Sequence, residues 1–206
     1  MKAILTASLC LCLCLAFAGC RTRPVAASPP CCRELKAGQS YTDSSLYQLD
    51  SLWSSDAGKQ ISLRVLRGRP QVVAMFFTRC EYACPLIVND LKKIEAALPE
   101  KVRQQTDFLL VSFDSTNDHA EALRAYRLRQ KLPMQRWTLV SGKADDVREL
   151  AALLGVNYRL DARGQFAHSN LITLLNVEGE ITAQQQGLNQ SPEEMARKIV
   201  LLAGQR

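Results

Sequence analysis

Cys80 and Cys84, with three residues between them, stand in the stretch FFTRCEYACPL, directly after an apolar run and just before Pro85. Two thiols so placed support three kinds of behaviour. They can cycle between dithiol and disulfide, hold one soft cation between two thiolates, or sit as small buried thiols in a core. In a helical segment a separation of four is about one turn, so both sulfurs face one way and lie within disulfide reach.

The chain has only two histidines to offer as a further ligand, His119 and His168. His119 opens DHAEAL, where an exposed or capping role is expected. His168, in GQFAHSNLITLL, falls in a polar connector just before an apolar run. A neighbouring-strand position would bring its imidazole over the Cys80 loop. Two sulfurs and one such nitrogen suit Cu(I), and Cu(II) with further ligands.

The elements that must position these groups follow from hydrophobic patterning. LYQLDSLW and ISLRVL bracket SSDAGKQ, whose Asp56-Ala57-Gly58 signals a turn between two short strands. QVVAMFF is a continuous β-branched and aromatic run, expected as a central strand buried on both faces. Pro85 suits the first turn of a helix, with Leu86, Leu91, Ile94 and Leu98 as its apolar side and Pro99 closing it. FLLVSFD and WTLVS are further strands; DHAEALRAYRLRQKL and ADDVRELAALLG are helices, the second ending at Gly155. NLITLLN, a VEGE turn and ITAQQQG form a hairpin, and a last helix starts at Ser191 with Pro192 in its first turn. The order predicts an α/β fold: a thioredoxin-like mixed sheet flanked by helices, with an added N-terminal β-hairpin. Cys80 then lies in the loop leaving a buried strand and Cys84 at a helix start, where the helix dipole favours thiolate.

At 206 residues and 47% hydrophobic, the chain suits one compact domain plus an appendage. MKAILTASLCLCLCLAFAG, with one lysine, an apolar run and closing small residues, reads as a secretory signal over residues 1–19. LAFAGC resembles a bacterial lipobox, with Phe17 where Leu, Val or Ile is usual, and makes Cys20 the expected site of lipid attachment. Residues 20–40, rich in Ala, Ser, Pro and charge, read as a flexible tether, and 41–206 as the folded domain. The expected location is outside the cytoplasm, as a membrane-anchored lipoprotein facing the periplasm or cell exterior. Of eight cysteines, Cys10, Cys12 and Cys14 leave with the signal. Cys31 and Cys32, adjacent in the tether, carry no assigned role. In an oxidising compartment, a pair kept reduced needs a metal or a dedicated reductant. The formal charge of +6 is spread through RTR, RVLRGR and RAYRLRQK without interleaved aromatics. It reads as solvated faces near anionic headgroups, with no nucleic-acid partner.

FFTRCEYACP, VSFDSTND and FAHSNLITLLNVEGEI, in that order, resemble the SCO/SenC family of copper-binding cytochrome c oxidase assembly proteins, over about Tyr41 to Ala203. The resemblance implies a copper ion held by Cys80, Cys84 and His168, and it matches Asp114 to the acidic residue of the family's second motif. Ser115 stands where proline usually follows that residue, Glu81 where proline often follows the first cysteine, and Asn176 where aspartate is frequent. Glu81 is expected to raise the thiol pKa values, partly opposing the helix dipole.

The implied function is a membrane-tethered copper chaperone for the binuclear copper centre of cytochrome c oxidase. Its partners would be the copper-site subunit, the membrane surface through a lipid anchor, and a thiol reductant. The alternative is a thiol–disulfide oxidoreductase in which Cys80 and Cys84 are the catalytic redox pair, reducing the copper-site cysteines of the same target. A generic thioredoxin-like reductase has Cys-x-x-Cys facing a cis-proline, whereas this chain has no proline between Pro133 and Pro192. A peroxiredoxin is excluded because no threonine stands three positions before either cysteine.

Overall fold

The computed structural model describes residues 41–162 and 166–204. The expected signal segment, Cys20 and the tether with Cys31 and Cys32 lie outside the described residues. No helix among the described residues is long and apolar enough to cross a membrane.

The first hairpin pairs β1 (Trp53–Ser55) with β2 (Gln60–Ile61) around a turn in which Gly58 adopts φ +76°, a left-handed value that favours glycine. Its strands are shorter than LYQLDSLW and ISLRVL suggest. Leu46–Gln48 and Leu63–Leu66 are instead short 3-10 turns, because the Ser45 and Ser62 hydroxyls accept from Tyr47 N–H and Arg64 N–H and draw the backbone out of extension.

β3 (Gln71–Phe76) is buried at all six positions, as its unbroken apolar run requires. Each large side chain there contributes about 1.5–3 kcal/mol of burial free energy. α1 (Ala83–Ala97) follows, with Pro85 in its first turn, where a missing N–H costs no hydrogen bond. Its core side is Cys84, Ile87, Val88, Leu91 and Ile94, continued by Leu98, while Leu86 is only half-buried. After the short α2 (Glu100–Gln104) come β4 (Asp107–Ser112), α3 (Ala120–Gln130), β5 (Trp137–Ser141) and α4 (Ala144–Leu154), which closes at Gly155 with φ +71°. Among the described residues, two short strands, β6 (Tyr158–Leu160) and β7 (Phe166–His168), form a separate two-stranded sheet. β8 (Leu171–Leu175), β9 (Ile181–Gln186) and α5 (Pro192–Ala203) complete the fold.

The main sheet has seven strands in the order β2-β1-β5-β4-β3-β8-β9. β3, β4 and β5 run parallel, while β1, β8 and β9 join antiparallel to their neighbours. Both parallel crossovers step the same way across the sheet, so right-handed connection puts α1 and α3 on one face. Phe76 packs on Tyr126 of α3 there, ring centroids 4.8 Å apart. Val73, of opposite parity, pairs with Thr173, whose hydroxyl accepts from Gln184; the same Gln184 amide reaches the Leu154 carbonyl of α4 on the other face. This is the expected thioredoxin-like mixed sheet flanked by helices.

One basic stretch departs from a solvated face. Arg127, in RAYRLRQK, is buried and paired through Nε and Nη2 with the buried Asp56 carboxylate, while its other donors reach the carbonyls of Leu132, Pro133 and Trp137. The carboxylate of the hairpin turn thus ties the added hairpin to α3 and β5.

Candidate metal centre

The carboxyl end of the sheet gathers three donors. Cys80 leaves β3 in a turn held by its N–H donating to the Phe77 carbonyl, 3.2 Å away. One turn later the Cys84 N–H, at the start of α1, donates to Cys80 Sγ at 3.2 Å. Cys84 stands in the first turn of α1 as expected, but the free helical N–H there donates to Cys80 Sγ, so the helix start favours thiolate on Cys80 rather than on Cys84. Cys84 Sγ is buried in the core and lies 3.8 Å from His168 Nε2.

His168 arrives differently from the sequence expectation. The connector before β8 is itself the β6–β7 hairpin, and His168 ends β7, in register with Tyr158. Phe113 stacks on Tyr158 at 5.2 Å between ring centroids and meets the His168 ring tilted at 4.9 Å, and Phe166 packs on Phe77 at 5.2 Å. An aromatic cluster, not a shared ladder, presses the hairpin onto the cysteines. His168 Nδ1 lies 3.1 Å from the Ser169 carbonyl oxygen, which can only accept, so Nδ1–H donates to it and the ring turns Nε2 towards the sulfurs.

The ligand atoms of Cys80, Cys84 and His168 lie within 4.8 Å of one another. A soft ion held at about 2.0–2.3 Å from three coplanar donors keeps them about 3.5–4 Å apart, so small side-chain adjustments close the set. Two sulfurs and an imidazole, with no fourth His, Cys, Asp or Glu joining them among the described residues, suit a soft three-coordinate ion better than tetrahedral zinc.

The two thiols are electrically unlike. The adjoining Cys84 thiol, then His168 and the backbone N–H groups of Cys84 and Tyr82, hold Cys80 down at about 4 against the opposing effect of burial. Cys84 is pushed well above the ordinary thiol range, first by its interaction with Cys80 and then by burial. The pair therefore keeps one proton, on the buried sulfur. This corrects the expectation for Glu81: its side chain is exposed, and local hydrogen bonds decide the thiolate instead.

Asp114 supplies no donor to the group. Burial pushes its carboxyl up, but hydrogen bonds from Arg79 and Asn117 and the Arg79 charge outweigh that and hold it below the usual range. Arg79 meets it at 2.8 Å, so Asp114 pins the residue next to Cys80. Sequence reasoning missed Asp118, fully buried, which accepts from Thr78 N–H at 2.8 Å, Thr78 Oγ1 at 2.6 Å and Ser112 Oγ at 2.5 Å. Two acids four apart at the end of a buried strand beside the Cys80 loop were the available signal. His119 caps α3 by position, exposed and without a side-chain cap bond. Asn176 organises the VEGE turn, its Oδ1 accepting from Glu178 N–H and Glu180 N–H at 3.0 and 2.9 Å.

The sequence model of the SCO1/SenC family matches residues 47–204. The chain is 22% identical over 161 residues to a SCO1 protein homolog of Bacillus subtilis, covering 75% of this chain and 82% of that one. Its fold is similar to that of Bradyrhizobium japonicum ScoI with copper bound, with a TM-score of 0.62 at 18% identity, covering 74% of this chain and 96% of that one. It is similar also to BsSco, a Sco-family cytochrome c oxidase assembly protein with a disulfide switch, with a TM-score of 0.64 at 18% identity, covering 75% and 92%. With its thiol pair and imidazole converging at the end of a thioredoxin-like sheet, this chain belongs to the SCO1/SenC family.

Proposed function

We propose that this protein is a membrane-tethered copper chaperone that helps assemble the binuclear copper centre of cytochrome c oxidase, carrying its cargo on Cys80, Cys84 and His168. The observation that carries the reading is the convergence of those three donors from segments far apart in the chain. Copper-bound ScoI of Bradyrhizobium japonicum, a neighbour in fold, supports copper as the cargo. Residues 1–19 export the chain, lipid on Cys20 anchors it, residues 20–40 act as a spacer, and residues 41–206 carry the site outside the cytoplasm. Confinement to the membrane surface raises encounter with an integral-membrane copper-site subunit.

The chemistry follows from the asymmetry of the thiols. Cys80 presents a thiolate at neutral pH, and loading releases the Cys84 proton, so affinity rises with pH. The Nδ1–H bond to the Ser169 carbonyl orients His168 so that Nε2 faces the thiols. Ligand exchange with the target then proceeds at the open side of the site, a hollow of about 720 Å³ lined by Cys80, His168, Phe77, Glu81, Tyr82 and Phe166 among others. Copper stoichiometry and spectra of the wild type against Cys80→Ala and His168→Ala test the reading. Each variant should lose affinity; a His168→Ala protein with wild-type affinity and spectrum would exclude His168 as a ligand.

The same asymmetry favours a second reading, a thiol–disulfide oxidoreductase acting on the copper-site cysteines of that target. A half-exposed thiolate attacks and a buried protonated thiol resolves. His168→Ala separates the two, since exchange chemistry survives it and copper handling does not. Wild-type protein that reduces disulfides yet binds no Cu(I) would refute the chaperone reading.

A further inference from the structure

Cys80 borders two hollows. One, already described, contains His168. The other, about 690 Å³, lies towards α3 and is lined by Thr78, Arg79, Glu81, Pro85, Tyr126 and Arg129 as well as Cys80. Nothing in the copper reading uses it. Its two guanidinium groups differ. Arg79 is neutralised by Asp114 at 2.8 Å. Arg129 meets no carboxylate among the described residues: it donates to the Thr78 carbonyl at 3.1 Å and lies over the Tyr126 ring, 5.5 Å from its centroid. Those contacts orient the guanidinium at the wall of the hollow and leave its charge without a carboxylate partner among the described residues. Tyr126, which lines the same hollow, has a buried hydroxyl without a hydrogen-bond partner among the described residues.

We propose that this second hollow is a subsite for thiols that bear a carboxylate, with Arg129 binding the carboxylate so that the ligand's sulfur meets Cys80 Sγ. The proposal rests on the exchange reading above and adds to it the class of reductant. Its chemistry balances as ordinary thiol–disulfide exchange. In the oxidised protein the ligand thiolate attacks Cys80 Sγ, the more accessible sulfur. The Cys80–Cys84 bond breaks, Cys84 leaves and takes up a proton, and a mixed disulfide forms on Cys80. A second ligand thiolate then attacks the ligand sulfur of that mixed disulfide and releases the Cys80 thiolate. Two ligand thiols become one disulfide, and the protein gains two electrons. The reductant thus approaches from the α3 side, while the His168 side stays clear for the metal.

The test is the rate at which 3-mercaptopropionate, 2-mercaptoethanol and cysteamine open the Cys80–Cys84 disulfide of the full chain, each at matched thiolate concentration. Arg129→Gln should slow mercaptopropionate by about threefold, the scale of one solvent-screened charge pair, and leave mercaptoethanol unchanged. Glu81→Gln should speed mercaptopropionate and slow cysteamine. High salt should erase the wild-type preference for mercaptopropionate. Equal slowing of all three thiols by Arg129→Gln would show that Arg129 acts only through the Thr78 carbonyl, and would overturn the proposal, as would no change or a salt-insensitive preference. If mercaptoethanol itself cannot open the disulfide, the exchange reading falls and the proposal with it.

Discussion

The buried carboxylate of Asp118 gives the sharpest test of how the Cys80 loop is held. It takes hydrogen bonds from Thr78 N–H, Thr78 Oγ1 and Ser112 Oγ, and it is wholly inaccessible to solvent. Asp118→Ala strands three donors. The two hydroxyls can rotate towards other acceptors, but the Thr78 N–H cannot, so its full desolvation cost of about 1–3 kcal/mol remains. Lost charge-assisted bonds to the hydroxyls add about 1 kcal/mol, giving an expected loss of about 3 kcal/mol. Asp118→Asn keeps an acceptor for Thr78 N–H and offers its amide to a rotated hydroxyl, so it should cost about 1 kcal/mol. Urea unfolding reads the difference: with a slope of about 1.5 kcal/mol/M, the midpoints should fall by about 2 M and about 0.7 M. Because Thr78 lies two residues before Cys80, the alanine variant should also bind copper more weakly than the asparagine variant. An alanine variant within about 0.5 kcal/mol of wild type, or two variants of equal stability, would refute the reasoning.

Three further outcomes follow. The depressed Cys80 pKa keeps the reactive anion present as pH falls, so iodoacetamide labelling of reduced Cys80 should stay level from pH 8 to about 5 and halve near 4. A tenfold fall per pH unit below 8, as for an ordinary thiol, would contradict it. Arg127→Ala, which leaves the buried Asp56 charge unpaired, should cost about 3–5 kcal/mol in denaturant unfolding, whereas a loss under 1 kcal/mol would place the pair in solvent-like surroundings. Tyr126→Phe, which removes a buried hydroxyl with no partner among the described residues, should leave the melting temperature unchanged or raise it, and a drop of several degrees would reveal a bond to that hydroxyl.

What could be read in advance was set by continuous apolar runs and local stop signals. QVVAMFF becomes β3 because nothing in it tolerates solvent, and Gly155 ends α4 because a left-handed residue is needed there. The cysteine pair was legible for the same reason, standing where a buried strand must end. The β6–β7 hairpin was not legible. Its strands are three residues each, part-exposed, and held by aromatic contacts to Phe77 and Phe113 from elsewhere in the chain, so no alternation marks them. Asp118 and Arg127 failed for a related cause. A charged residue reads as solvated unless its distant partner is known, and theirs are 40 and 71 positions away, at Thr78 and Asp56. The Glu81 expectation weighed charge by sequence proximity, whereas the thiolate is set by groups within bonding distance.

The three donors are held with unequal firmness, and that inequality bears on how a cargo leaves. Cys84 is built into α1 and the core. Cys80 stands in a turn anchored at Thr78 by Asp118 and at Arg79 by Asp114. His168 sits on a two-stranded ladder outside the main sheet, and such a ladder alone is marginal in water. Its docking depends on rings of Phe113, Phe77, Tyr158 and Phe166 that contribute roughly 0.5–1.5 kcal/mol per pair beyond their burial. Of the three bonds to a soft ion, the one to nitrogen is therefore the one whose protein side can move at least cost. In the transfer proposed above, a target thiolate would replace the imidazole first and leave the ion between sulfurs throughout the exchange. A chaperone needs that order of release, since losing a thiolate first would expose both the ion and a reactive sulfur. For the chaperone role proposed above, the weakly framed hairpin makes His168 the first ligand to exchange, while the thiols anchored at Thr78, Arg79 and the core keep hold of the ion.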